Sequence, residues 1–254
     1  MWAVSSGGKV SMPDRSVLVT GVAGEIGGYL VDELLQDGWI VCGLDLRPPS
    51  SIGRTGFSFQ ECDLSDSVDA ERKIEAFHKR FDAFDAVINC AGLIANSPLI
   101  SFVEGRLVHH DFELWDRILC SCLSSVFYVT ACTVPRMVSS GKKGVIINIS
   151  SICSRGKPGQ AAYSAAKAGV NGLTAALAKE LGPMGVRVVA LAPGYLDTAS
   201  TRDNVLAAKL KETTASVPLK RLGTIEEVAS AVRFILTNQY VNATVIELDG
   251  GLVL

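Results

Sequence analysis

Tyr163 and Lys167, in the run Gln160-Ala161-Ala162-Tyr163-Ser164-Ala165-Ala166-Lys167, are the residues best suited by type and spacing to proton chemistry. The stretch from Tyr163 to Leu181 is rich in Ala and Leu with few breakers, and it reads as a helix. Positions i and i+4 share a helix face, so the phenol and the ammonium should stand side by side. A free tyrosine titrates near pH ~10, and a neighbouring positive charge lowers that value. The expected outcome is a phenol able to give or take a proton near neutral pH, as carbonyl reduction or alcohol oxidation requires. Alone, the pair is equally compatible with two unrelated surface residues.

The N-terminal third supplies a context. Ser16-Val17-Leu18-Val19-Thr20 is a β-branched run ending in Gly21-Val22-Ala23-Gly24-Glu25-Ile26-Gly27-Gly28, and a helix-like stretch to Gln36 follows. Strand, glycine turn and helix in that order form a dinucleotide-binding unit, in which backbone N–H groups at the helix start receive a pyrophosphate. Trp39 to Leu44 reads as a second strand closing on Asp45. A carboxylate there accepts ribose hydroxyls and repels a 2′-phosphate, which favours NAD over NADP. Arg47 is the one nearby residue that argues the other way, since it could reach a phosphate.

Bulk properties narrow the class. With 254 residues, 48% of them hydrophobic, the chain can build one large core, and no linker or repeat divides it. A formal charge of −2 and 7% aromatic content leave no footprint for nucleic acid or an anionic membrane. The seven cysteines lack framework spacing, which predicts reduced thiols and a cytoplasmic location. Neither Cys120-x-Cys122 nor His109-His110, placed in a loop, has the companions of a zinc site, so no metal is expected. Residues 1–14 read as a loose tail, and no segment approaches the length of a membrane span.

The elements that must position the tyrosine alternate. Strands are expected at Ser16–Thr20, Trp39–Leu44, Phe57–Glu61, Ala83–Asn89, Gly144–Ser150, Val186–Leu191 and Thr244–Leu248. Helices are expected at Glu25–Gln36, Ser67–Phe81, Phe112–Val138, Ala161–Leu181, Arg202–Ala215 and Ile225–Leu236. Continuous apolar strands between helices predict an α/β fold with a mainly parallel, doubly wound sheet covered on both faces and ligands at the carboxyl ends of its strands. Asp63, Asn89-Cys90-Ala91-Gly92, Ser150-Ser151 and Pro193-Gly194 all fall at such ends. Asp63 could bond an adenine amino group, and the small residues would let a ribose approach the backbone.

Together these residues resemble the short-chain dehydrogenase/reductase family, compact single-domain branch, from about Arg15 to Gly251. The motifs are Tyr163-x-x-x-Lys167 after Asn148-Ile149-Ser150-Ser151, then Pro193-Gly194 and Leu248-Asp249-Gly250-Gly251. The resemblance implies a Rossmann-type sheet of seven strands, nicotinamide as hydride carrier, and a homotetramer or homodimer built through the two long helices. It implies Tyr163 as general acid/base, Lys167 on the nicotinamide ribose, and Ser151 on the substrate oxygen. Ser150 remains the alternative, because the stretch from the serines to Tyr163 is one residue shorter than usual. Cofactor contacts are implied at Gly21, Gly24, Glu25, Ile26, Gly27, Asp45, Leu46, Asp63, Leu64, Asn89, Ala91, Gly92, Tyr163, Lys167, Pro193, Gly194 and Leu196, with a substrate lid over residues 195–217.

The chain departs from the family pattern at four places. Glu25 stands where the compact branch has glycine, so its side chain must point away from the pyrophosphate. Cys122 replaces an asparagine of structural or proton-relay role, and Val189 replaces another asparagine. The segment from Leu93 to Asp111 is long, which predicts a loop able to reshape the substrate pocket. The leading reading is an NAD(P)-dependent oxidoreductase acting on a small alcohol or carbonyl. The rival is a weakened dinucleotide-binding protein of regulatory or redox-sensing role.

Overall fold

The computed structural model describes residues 15–204 and 207–252, so the expected tail over residues 1–14 lies outside the described residues. β1 (Ser16–Thr20) leads through α1 (Glu25–Gln36) to β2 (Ile40–Asp45) and β3 (Phe57–Glu61). α2 (Ser67–Phe81) and β4 (Ala86–Asn89) follow, then a hairpin of β5 (Ile100–Val103) and β6 (Arg106–His109). α3 (Phe112–Leu119) runs through a π turn (Cys120–Ser124) into α4 (Ser125–Ser139). β7 (Val145–Ile149), α5 (Ala161–Leu181) and β8 (Arg187–Pro193) come next. α6 (Ala199–Asn204), α7 (Ala207–Ser216), α8 (Ile225–Thr237) and β9 (Val245–Leu248) complete the order.

The large sheet has seven strands in the order β3-β2-β1-β4-β7-β8-β9, and every pairing in it is parallel. β1 and β7 are buried at every position, which only a sheet covered on both faces permits. Side chains alternate across the strands. Val17, Val19 and Ile147 face α1 and α8, packing with Leu30, Leu34, Val228 and Val232. Leu18, Val87 and Ile146 face α2, α4 and α5, packing with Ile74, Phe77, Val129 and Ala178. Helix starts are fixed by side chains: Asp66 accepts from the Val68 and Asp69 N–H groups at α2, and Thr224 with Glu227 forms a reciprocal cap at α8.

Two expectations are corrected. The segment after β4 is not an open loop but contains the antiparallel hairpin, and His109 ends a strand. The alternation that signals this hairpin puts apolar residues on both of its faces, so it carries no half-buried pattern. The helix expected over 202–215 is helical wherever it is described, over Ala199–Asn204 and Ala207–Ser216. The run Phe112–Ser139, 28 residues holding an 18-residue window of mean hydropathy 1.7, is long and apolar enough by length and composition to cross a membrane, contrary to the reading that no segment approaches a span. Its Ile118, Cys122, Val129 and Met137 are buried within the domain, so it flanks the core.

Candidate active site

β1 pairs with β2 on one side and β4 on the other, so the chain direction of winding reverses at its carboxyl end, where open α/β sheets hold ligands. A cleft of about 590 Å³ opens there, lined by the glycine turn, the ends of β4, β7 and β8, the start of α5 and the segment from Tyr195 to Thr201.

The turn is built by backbone crowding. Gly21 has φ +73°, and a Cβ on it would lie 2.8 Å from the Ala91 Cα. A Cβ on Gly27 would lie 2.1 Å from the Gly21 carbonyl oxygen, so α1 meets β1 closer than any side chain allows. Thr20 Oγ1 accepts from the N–H groups of Cys90 and Ala91 at 3.0 and 3.1 Å, pinning the β4 end to the turn. Gly24 is the residue before α1 and offers no side-chain cap, so the first amides of α1 keep donors for an anion beside the cleft. Asp45 Oδ2 accepts from Ala23 N–H at 2.9 Å and Oδ1 from Arg47 N–H at 3.1 Å. The carboxylate thus braces the turn as well as closing β2. These features fit a dinucleotide: an uncapped helix start, glycine where the backbone must be approached, and an acid at the ribose end.

Gly21, Gly24, Glu25, Ile26, Gly27, Gly92, Pro193, Gly194 and Leu196 line the cleft with Tyr163 and Lys167. Ala91 stands against Gly21. Leu46 is exposed beyond β2, and Leu64 is buried under α2. Asp63 Oδ1 accepts from Ser65 N–H and Oγ in an exposed turn. Asn89 is buried; its Nδ2 donates to Asn148 Oδ1 at 2.9 Å across the β4–β7 pair, and its Oδ1 has no partner. Its side chain is a strut inside the sheet. Val189, likewise, is a core residue facing α8.

On the substrate side the two serines separate. Ser150 Oγ donates to Asn171 Oδ1 at 2.7 Å and is buried. Ser151 Oγ accepts from Cys153 N–H at 3.1 Å, and the serine lies near enough to the Tyr163 phenol to favour its ionised form. The structure therefore brings Ser151, not Ser150, to the tyrosine. Lys167 is buried, with Nζ 5.6 Å from the Tyr163 ring centroid and donating to the Ile149 carbonyl at 2.7 Å.

The expected lowering of the Tyr163 pKa is reversed. Burial pushes the phenol above its ordinary value, the Cys122 and Cys153 thiols add to the rise, the Ser151 hydrogen bond opposes it, and Cys90 adds again. Spacing predicted the neighbour correctly but not its bonding: Lys167 is engaged by the end of β7, and desolvation outweighs it.

Cys122 sits in the π turn and closes on one residue, donating to Leu93 O and accepting from Leu93 N–H, both at 3.2 Å. A Cβ on Gly92 would lie 3.2 Å from its sulfur and 3.7 Å from Lys167 Nζ, so the thiol borders Lys167.

Sequence reasoning missed a polar wall. Gln160 Nε2 donates to Asn96 Oδ1 at 2.7 Å, and Cys153 Sγ donates to Gln160 Oε1 at 3.4 Å. Lys157 Nζ lies 4.6 Å from the Tyr195 ring centroid at the same cleft. Gln160 adjoins the Tyr163 motif and could have been suspected from that. The Glu25 contact could not: its Oε1 accepts from Ala199 N–H at 2.7 Å, joining the glycine turn to the start of α6 across 174 positions.

Comparison with known proteins identifies the family of the chain. A family model described as enoyl-(acyl carrier protein) reductase matches residues 21–253. The chain is 37% identical over 201 residues to the 3-oxoacyl-[acyl-carrier-protein] reductase FabG of Chlamydia muridarum, covering 77% of this chain and 76% of that one. It is 33% identical to (3R)-3-hydroxyacyl-CoA dehydrogenase of Rattus norvegicus, covering 92% and 95%. Among solved structures, ligand-free aldohexose dehydrogenase of Thermoplasma acidophilum superposes with TM-score 0.82 at 26% identity, covering 94% of each chain.

Proposed function

Because the chain belongs to the short-chain dehydrogenase/reductase family of oxidoreductases, we propose that it interconverts a secondary alcohol and a ketone with NAD, on a 3-hydroxyacyl or 3-oxoacyl substrate. The observation that carries this reading is the Ser151–Tyr163 pair over the cleft, backed by Lys167 and opposite the uncapped start of α1. The bound nicotinamide supplies the hydride in reduction and accepts it in oxidation. Ser151 Oγ already accepts from Cys153 N–H, which leaves its own O–H to donate to the substrate oxygen. Tyr163 gives that oxygen a proton in reduction and takes one in oxidation. Lys167 holds a positive charge behind the phenol and a donor for a ribose hydroxyl.

Asp45 favours NAD over NADP by its charge, and its bonds to Ala23 and Arg47 keep it aimed at the ribose end. The names of the relatives, 3-oxoacyl and 3-hydroxyacyl, favour an acyl substrate. The cleft walls supply both parts of such a molecule: Ile94, Ala95 and Ile152 for the chain, Asn96 and Gln160 for a polar group. The free, mostly buried thiols support a reducing, cytoplasmic setting.

A paired test decides the class. NADH should quench protein fluorescence at much lower concentration than NADPH, and 3-oxoacyl thioesters should be reduced faster than hexoses are oxidised. Tyr163→Phe should lose turnover by about 10²–10⁴-fold while keeping NADH affinity. A Tyr163→Phe enzyme with wild-type turnover would overturn the assignment. NADH binding with no turnover on any alcohol or ketone would favour the regulatory reading, which the raised phenol pKa and the engaged Lys167 motivate.

A further inference from the structure

The β5–β6 hairpin is the least explained part of the chain. Its register pairs Ile100 with His109 and Phe102 with Leu107, so these four share one face. Ile100, Phe102 and Leu107 are all more than half exposed, as are Leu99 beside them and Phe112, which stacks on His109 at 4.7 Å. The opposite face exposes Val103 and Val108. An isolated two-stranded hairpin is marginal in water, and an apolar one more so. Together these side chains expose on the order of 700 Å² of apolar surface, above the roughly 300–600 Å² of an ordinary monomer's largest patch and close to the ~800 Å² that one partner gives a standard interface.

We propose that a second copy of this chain covers the hairpin, which acts as an arm extending the subunit interface beyond the two long helices. Continuity of surface supports a copy as the occupant. Phe112 carries the patch directly onto the Phe112–Ser139 run, whose apolar window is only 39% buried and which exposes half of Phe127. One partner then covers both. Charge supports it too. The hairpin tip carries Glu104 and Arg106, and its base the exposed His109, Asp111 and Glu113. An antiparallel two-fold contact sets each tip against the other copy's base, acid toward histidine and arginine toward acid, and isologous interfaces need such self-complementarity. The balanced charge offers nothing to an anionic membrane or a nucleic acid.

The arm reaches the site. Its stem is tied to the catalytic helix by Ser97 N–H to Gly159 O at 2.8 Å and by Gln160 to Asn96 at 2.7 Å. Covering the hairpin therefore also steadies the wall of the substrate cleft, independently of which acyl or other substrate it holds.

The test is the mass of the full chain by sedimentation velocity, wild type against Phe102→Glu/Leu107→Glu, with hydrogen exchange of residues 100–109 at high and low protein concentration. The expected result is a wild-type oligomer whose mass halves in the double variant with NADH binding retained, and hairpin amides that exchange faster on dilution. A variant of unchanged mass, or hairpin amides unprotected at every concentration, would overturn the proposal. Flotation of the wild type, but not the variant, with phosphatidylcholine/phosphatidylserine vesicles would overturn it in favour of a membrane. The exchange measurement needs no variant, so a double mutant that fails to fold still leaves a decision.

Discussion

Alanine substitutions at three glycines of the first turn should separate folding from cofactor binding. At Gly27 the new methyl would stand 2.1 Å from the Gly21 oxygen and 2.8 Å from its carbon. Ordinary contact needs a backbone shift of about 1 Å between β1 and α1, and overpacking of that kind costs about 1–3 kcal/mol or more. The gain from replacing a helical glycine, about 1 kcal/mol, offsets only part. Gly27→Ala should therefore melt several degrees lower, at about 2–4 °C per kcal/mol for a domain of this size, and lose NADH binding with the turn's geometry. At Gly28 the methyl meets only the Val22 oxygen at 3.3 Å, outside the cleft. Stability should change by less than about 1 kcal/mol, and binding not at all. At Gly24 the nearest atom is the Gly21 oxygen, also 3.3 Å away, but this residue lines the cleft. Gly24→Ala should fold normally and weaken NADH about tenfold or more, or ~1.4 kcal/mol. Thermal unfolding and NADH fluorescence titration on the three variants read both quantities. The reasoning fails if Gly27→Ala is as stable as wild type, or if Gly24→Ala binds NADH as well as Gly28→Ala does.

Asp45→Ala should narrow the preference for NADH over NADPH and also weaken NADH itself, because it removes a charged acceptor from Ala23 N–H as well as from the ribose; such bonds are worth about 1.5–3 kcal/mol. An unchanged ratio in paired titrations would shift selectivity to Arg47. Burial holds the Tyr163 proton on above the usual tyrosine value, so the neutral phenol dominates at pH 7. Alcohol oxidation should accordingly climb about tenfold per pH unit in kcat/KM while reduction stays level, and an oxidation profile flat from pH 6 to 9 would refute the direction of the shift. Glu25→Ala should speed NADH dissociation several-fold in stopped-flow displacement, because the tie to Ala199 is lost. If Glu25 acts only by repelling the pyrophosphate, dissociation will slow instead.

Periodicity made the sheet legible: the strands of the core are continuous apolar runs, and each of the seven appears within a few residues of its expected span. Glycine spacing made the turn legible for the same reason, since Gly21 and Gly27 stand where no Cβ fits. Three things were not legible. The hairpin has no buried face to impress a pattern, so Leu93 to Asp111 read as loop. Glu25 meets the start of α6 only because the fold returns the chain after the sixth strand of the large sheet, a contact no local rule anticipates. At Tyr163 the residue pair was read correctly and its energetics were not, because enclosure by Cys122, Cys153 and Cys90 depends on three distant segments.

The cysteine that replaces an expected asparagine illustrates how bonding can survive a change of residue. What this position holds is one residue of the strap between β4 and the hairpin: Leu93, gripped at both its N–H and its carbonyl by a single sulfur. Thiols are weak in either role, yet here one atom fills both, within a π turn that brings it under the strap. Three residues on, the strap is gripped again, by Gln160 at Asn96 and by Gly159 at Ser97. The wall of the cleft is thus stretched between the α3–α4 helix run and the helix that carries Tyr163. The strap is thus tied at both ends, and the hairpin continues directly from it. A partner that grips the hairpin therefore acts on the substrate side of the cleft, while the glycine turn, held by Asp45 and Thr20 on the far side of β4, is left as it was.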